Sequence, residues 1–148
     1  MYRHILIATD GSELANKAVT HGIALAKELK VPVSVVTVTE AWSSLDLAHM
    51  ARLGNRNPIS QYEEMALTAA NNILENAARV TKLQRVTCEM IHVRDQHPAA
   101  GIIATANDRG CDLIIMASHG RRGINRLLLG SQANEVLTHS KVPALIIR

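Results

Sequence analysis

Short aliphatic runs recur along this chain, each too brief for a helix and each set apart by segments of helical period. Ile5-Leu6-Ile7-Ala8, Val33 to Val38, Leu113 to Met116 and Pro143 to Ile147 are nearly continuous in apolar residues, as strands covered on both faces are. Val86 to Val93 is a further strand. There Val86, Cys88, Met90 and His92 alternate with Thr87, Glu89, Ile91 and Val93, so both sets carry apolar residues.

The intervening segments change period. From Ser12 to Leu29, Ala15, Ala18, Val19, Gly22, Leu25, Ala26 and Leu29 recur at spacings of three and four, which marks one face of a helix. Ser12 or Asp10 is placed to cap its amides, and Glu13 suits its first turn. Ser60 reads as the N-cap of a second helix with Glu63 at the capping-box position. Tyr62, Met65, Ala69, Ile73, Ala77 and Val80 line one face of it as far as Lys82. Pro98 opens a third helix that runs to Arg109 and stops at Gly110. Ser131 to His139 forms the fourth. Glu40 to Pro58 shows no sustained periodicity and reads as a long connection with room for one short helical turn. A connection of that length in a compact domain is usually functional or mobile.

Strands apolar along their whole length must be covered on both sides, and helix-length crossovers join parallel strands. The pattern therefore predicts α/β architecture: a five-stranded parallel sheet with helices on both faces, three layers, one domain over residues 1–148. No internal repeat or low-complexity segment interrupts it. In open sheets of this kind ligands sit outside the carboxyl ends of the strands, where strand order reverses. With the first and fourth strands adjacent there, Ala8-Thr9-Asp10 and Met116-Ala117 face one crevice.

The stretch over that crevice, Met116 to Gln132, holds Gly120, Gly123 and Gly130, Arg121, Arg122 and Arg126, His119 and two serines. Glycines let backbone amides approach a ligand, a helix start offers free N–H groups, and guanidinium groups add charge. The product is an anion site, with phosphate the expected anion. Neither G-x-x-x-x-G-K-[ST] nor G-x-G-x-x-G is present.

Composition narrows the partners. Aromatic residues make up 2% of the chain, so base stacking on single-stranded nucleic acid has no platform. The net charge of +3 is spread along the chain except at Arg121 to Arg126, which suits a local phosphate pocket and not a nucleic-acid surface. Cys88 and Cys111 lack metal-ligand spacing and read as small buried hydrophobes of a reducing cytoplasm. Met1 to Ile5 leads directly into a strand, without a signal peptide, and no apolar run reaches membrane-spanning length.

Taken together, H-I-L-I-A-T-D-G-S, V-T-V-T-E, D-L-I-I-M-A-S-H-G-R-R-G, L-L-L-G-S and V-P-A-L-I-I-R resemble the universal stress protein family of the UspA type, over essentially the whole chain. The resemblance implies the Rossmann-like, adenine nucleotide alpha hydrolase-like form of the fold. Nucleotide-binding members carry G-x2-G-x9-G-[ST]. The corresponding residues here are Ala117, Gly120, Gly130 and Ser131, with alanine in place of the first glycine.

Carried over, the resemblance places Asp10 near ribose or phosphates, directly or through Mg2+. Ala8 and Thr9 line the adenine side, Val38 contacts adenine, and Met116 and Ala117 hold base and ribose. Gly120, Gly130 and Ser131 hold phosphates, with His119, Arg121, Arg122, Gly123 and Gln132 completing the site. It implies ATP or AMP as ligand, and homodimers through the last strand, Val142 to Ile147.

Plainer readings stand beside these. Asp10 also suits a turn or helix cap, and Arg121 and Arg122 also suit solvent. No neighbouring carboxylate orients His119 as a base. The other histidines share no metal motif, the methionines read as packing residues, and Trp42 fits either a base cover or a dimer surface. Three functions follow: a regulatory adenine-nucleotide-binding protein of stress physiology, a slow ATP hydrolase, or a nucleotide-free dimeric interaction module.

Overall fold

A computed structural model describes residues 1–121 and 128–148. Five parallel strands, β1 (Ile5–Ala8), β2 (Val33–Val38), β3 (Cys88–Val93), β4 (Leu113–Ala117) and β5 (Ala144–Ile147), form one sheet in the order β3-β2-β1-β4-β5. The order reverses between β1 and β4, whose register pairs Ile5 with Leu113 and Ile7 with Ile115. The expected switch point is therefore present.

The helices are α1 (Glu13–Leu29), α2 (Ser44–Arg52), α3 (Pro58–Gln84), α4 (Pro98–Asp108) and α5 (Ser131–His139). Two cores flank the sheet, as double-sided covering requires. One joins Ile5, Ile7, Val33, Val35, Leu113 and Ile115 to Ala15, Ala18, Val19, Ile23 and Ala26 of α1 and Leu74 and Ala77 of α3. The other joins Leu6, Ala8, Val36, Ile114 and Met116 to Ala99, Ile102 and Ala106 of α4 and Ala133 and Val136 of α5. Successive strand residues go to opposite cores, which is why these runs are apolar throughout. In β3, Cys88 and Met90 join the first core and Ile91 and Val93 the second, which explains its two-sided pattern.

The second helix departs from the expectation. It starts at Pro58, with Asn57 as its N-cap and no side-chain capping bond, and continues to Gln84. Proline at the first helical position sets φ there and needs no amide partner, so it outcompetes the Ser60 signal two residues on. The connection before it holds a nine-residue helix, α2, where only one short turn was expected. Its capping box uses Ser43 and Asp46, with Asp in place of Glu, and Met50 is its only buried residue, so its periodic signal is faint.

Other limits shift by one or two residues. β3 starts at Cys88, β4 extends to Ala117, α4 gives way at Arg109, and Gly110 follows with φ +63°. Cys111 is buried as expected, but Cys88 is only half-buried. Among the described residues no helix is long and apolar enough to cross a membrane.

Candidate functional site

At the carboxyl ends of β1, β2 and β4 lies a cavity of about 760 Å³, a size that holds small organic ligands. Ala8, Thr9, Asp10, Val38, Met116, Ala117, His119, Gly120, Arg121, Gly130, Ser131 and Gln132 all line it. Arg122 and Gly123, also expected there, lie outside the described residues.

Each wall has a local cause. Beyond Ala8 the first strand turns away: Thr9 N–H donates to Val36 O at 3.0 Å, Gly11 N–H to Thr9 Oγ1 at 3.2 Å, and Gly11 takes φ +78°. Ser12 caps α1 by accepting the Ala15 amide. Asp10 plays the turn role, its Oδ1 accepting the Ser12 amide at 3.0 Å. Its second oxygen reaches across the crevice and accepts the Arg121 amide at 2.9 Å.

Strand β2 runs on past the end of β1. Because amides alternate sides along a strand, Val38 faces the same way as Val36, toward a neighbour that has already left the sheet. The Val38 peptide groups thus border the apolar end of the cavity. Its side chain packs against α4, where a Cβ on Gly101 would come within 3.0 Å of both Val38 methyl groups.

The opposite end is formed by the turn from β4 into α5. Ser118 N–H donates to Ile147 O at 2.8 Å, and Ser118 O accepts the Gly130 amide at 2.7 Å. That bond clamps both ends of the arginine-glycine stretch. Gly130 is the N-cap of α5 and no side chain among the described residues caps the helix, so the first amides of α5 open at the crevice. Gln132 lines the cavity, yet its Oε1 accepts the Ala99 amide at 2.9 Å and so caps α4. His119 Nδ1 lies 2.8 Å from Ser118 Oγ, a hydroxyl partner and not a carboxylate.

Ala117 ends β4 on the α1 side of the sheet, buried with Ile115 and Ala15. It is not among the positive-φ residues, so its methyl group imposes no backbone strain at the position where the resemblance implies glycine in nucleotide binders. Among the described residues no group of three His, Cys, Asp or Glu side chains is placed to hold a metal.

The sequence reading missed the side wall. Met50 of α2 and Tyr62, Met65, Ala66, Ala69, Ala70 and Ile73 of α3 line the cavity. Part of the apolar α3 face therefore meets the cavity and not protein, and Met65 is 64% exposed. Periodicity marks an apolar face without saying whether protein or a cavity meets it. Trp42 is not part of this wall. Near its rim Thr39 Oγ1 contacts His92 Nε2 at 2.9 Å. Burial, aided by Arg94, lowers the His92 pKa below its usual value, against an opposing pull from Asp95.

Residues 1–148 match the sequence model of the universal stress protein family. The chain belongs to that family. The universal stress protein YxiE of Bacillus subtilis is 30% identical over 149 residues spanning all of both chains. Universal stress protein MJ0577 of Methanocaldococcus jannaschii is 30% identical over all of this chain and 96% of its own. The solved structure of MJ0577 matches with a TM-score of 0.76 at 27% identity, covering 99% of this chain and 96% of that one. The same fold recurs in a universal stress protein solved with cAMP, at a TM-score of 0.73 and 21% identity over 99% of this chain and 97% of that one. It recurs in one from Archaeoglobus fulgidus solved with dAMP, at 0.71 and 20% over 99% and 98%.

Proposed function

We propose that this universal stress protein binds an adenine nucleotide, AMP or ATP, in the crevice between β1 and β4 and acts as a regulatory protein of the stress response. The observation that carries the reading is one cavity with an apolar end at Ala8 and Val38 and an amide-rich end at Gly120 and the start of α5. A flat base suits the first end, and phosphate suits the second. Val38 N–H and C=O border the base end as one donor and one acceptor, a pair that matches an adenine edge. Proteins of the same fold have been solved with cAMP and dAMP.

Among the described residues Asp10 is the carboxylate beside the proposed phosphate position, and a single one fits a Mg2+ ion carried mainly by the phosphates of ATP. Such an ion neutralises phosphate charge. Among the described residues only Ser118 orients His119, and with no carboxylate behind it any hydrolysis by this site is slow. The unpaired cysteines suit a cytoplasmic protein.

The dimer reading rests on β5. This edge strand is bonded to β4 alone, and Leu145 on it is 41% exposed. A second copy pairing along Val142 to Ile147 satisfies that edge.

Purification without added nucleotide, followed by denaturation and mass analysis of what is released, tests the assignment. Stoichiometric adenine nucleotide is expected. An empty extract together with no thermal shift on adding AMP or Mg-ATP would leave the nucleotide-free interaction module as the better reading.

A further inference from the structure

The Arg121 amide points into the crevice with the Gly120 turn, where a phosphate is proposed to sit, yet it is already taken. Asp10 Oδ2 accepts it at 2.9 Å. The approach is close enough that a Cβ on Gly120 would lie 2.5 Å from the same oxygen. The Arg121 side chain lies over the turn after β1 that carries Asp10, its Nη2 3.2 Å from where a Gly11 Cβ would stand. The other Asp10 oxygen is held by the Ser12 amide at 3.0 Å. The carboxylate is thus fixed from both sides.

We infer that Asp10 is an internal anion that occupies the Arg121 amide and sets how much negative charge a ligand can bring to that end of the crevice. The inference rests on the nucleotide reading of the site. A phosphate oxygen bonded to the Arg121 amide stands beside the Asp10 carboxylate, and like charges at that separation repel. Free AMP dianion therefore gains little over adenosine at this position. Asp10 selects against a bare phosphate there and in favour of a ligand whose charge is spread or neutralised. It is a specificity residue, not only a ligand contact.

Calorimetric titration with adenosine and with AMP, both without divalent cation, separates base and ribose binding from phosphate binding. Wild-type protein is expected to bind the two with similar affinity. Asp10→Asn keeps the shape and removes the charge, and should raise the AMP-to-adenosine affinity ratio about tenfold. An unchanged ratio, or a loss of affinity for both ligands in Asp10→Asn, would overturn the inference and make Asp10 an ordinary ligand contact. Hydrogen exchange at the Arg121 amide in unliganded protein supplies a second readout. Asp10→Ala should remove its protection, whereas unchanged protection would refute the contact itself. If neither nucleoside nor nucleotide binds either protein, the nucleotide reading fails, and the exchange result still decides the contact.

Discussion

A Cβ on Gly130 would stand 2.8 Å from the Ser118 carbonyl oxygen, the same oxygen that accepts the Gly130 amide at 2.7 Å. Gly130 has φ −62°, open to any residue, so space alone demands glycine here. The contact closes the turn between β4 and α5 and aims the start of α5 at the crevice.

Gly130→Ala should lower stability by about 1–3 kcal/mol, because the added methyl group meets backbone on two sides, Ser118 O and His119 Cα. Among the described residues a Gly120→Ala methyl group meets the Asp10 carboxylate, so relief costs that side chain its amide hydrogen bonds and not a shift of backbone. Urea melts of the two variants should show the larger loss at Gly130. The reverse order would mean that the clamp is not rigid.

Ala117→Gly places a glycine where the resemblance to nucleotide-binding members implies one. Since Ala117 is a buried strand residue without positive φ, the change should cost about 1 kcal/mol of stability and alter AMP affinity less than about threefold. A tenfold gain in affinity would show that the methyl group obstructs the ligand.

Ala66→Leu places a larger side chain on the α3 wall of the crevice. It should weaken AMP binding about tenfold while leaving the melting temperature unchanged or raised, since it fills space that none of the described residues occupies. Unaltered affinity would remove α3 from the site.

Asp112 accepts the Arg3 amide at 2.9 and 3.0 Å and the His4 amide at 3.0 Å, tying the lead into β1 to the start of β4. The His4 amide foremost, together with the Arg3 amide and guanidinium, holds its carboxyl below the ordinary 3.8, although burial opposes them more strongly than any single Arg3 contact helps. With the folded pKa depressed, the unfolded chain takes up the proton first. The stabilisation is therefore complete above the unfolded pKa and is lost as pH falls through the folded one. Asp112→Asn should cost about 1 kcal/mol near neutrality, a modest value because the side chain is 31% exposed. The gap to wild type should narrow as pH falls below the ordinary carboxylate value of 3.8, which denaturant melts can measure. A gap that stays constant with pH would contradict the assignment.

Burial pushes both Cys88 and Cys111 up to about 11, with Glu89 adding for Cys88 and Asp112 for Cys111. At pH 8 about one thiol in a thousand is then ionised. Native protein should react with a disulfide reagent far more slowly than denatured protein, and Cys111, which is buried, more slowly than Cys88. Rapid stoichiometric labelling of Cys111 would indicate that β4 opens readily.

How much was legible in advance divides along a physical line. The alternation of short aliphatic runs with helical stripes is local information, and it determined the kind and sequence of the strands and of α1, α3, α4 and α5. The glycine-rich stretch after β4 marked one end of the cavity for the same reason, since backbone freedom and amide exposure belong to the residues themselves. Tertiary structure decided the rest. That Met65 and Ala69 face a cavity while Leu74 and Ala77 face protein depends on where the sheet ends beneath α3. That Gln132 caps α4, and that Asp10 takes the Arg121 amide, depends on partners 33 and 111 residues away. Periodicity records which face is apolar, and only the packed chain determines what that face meets.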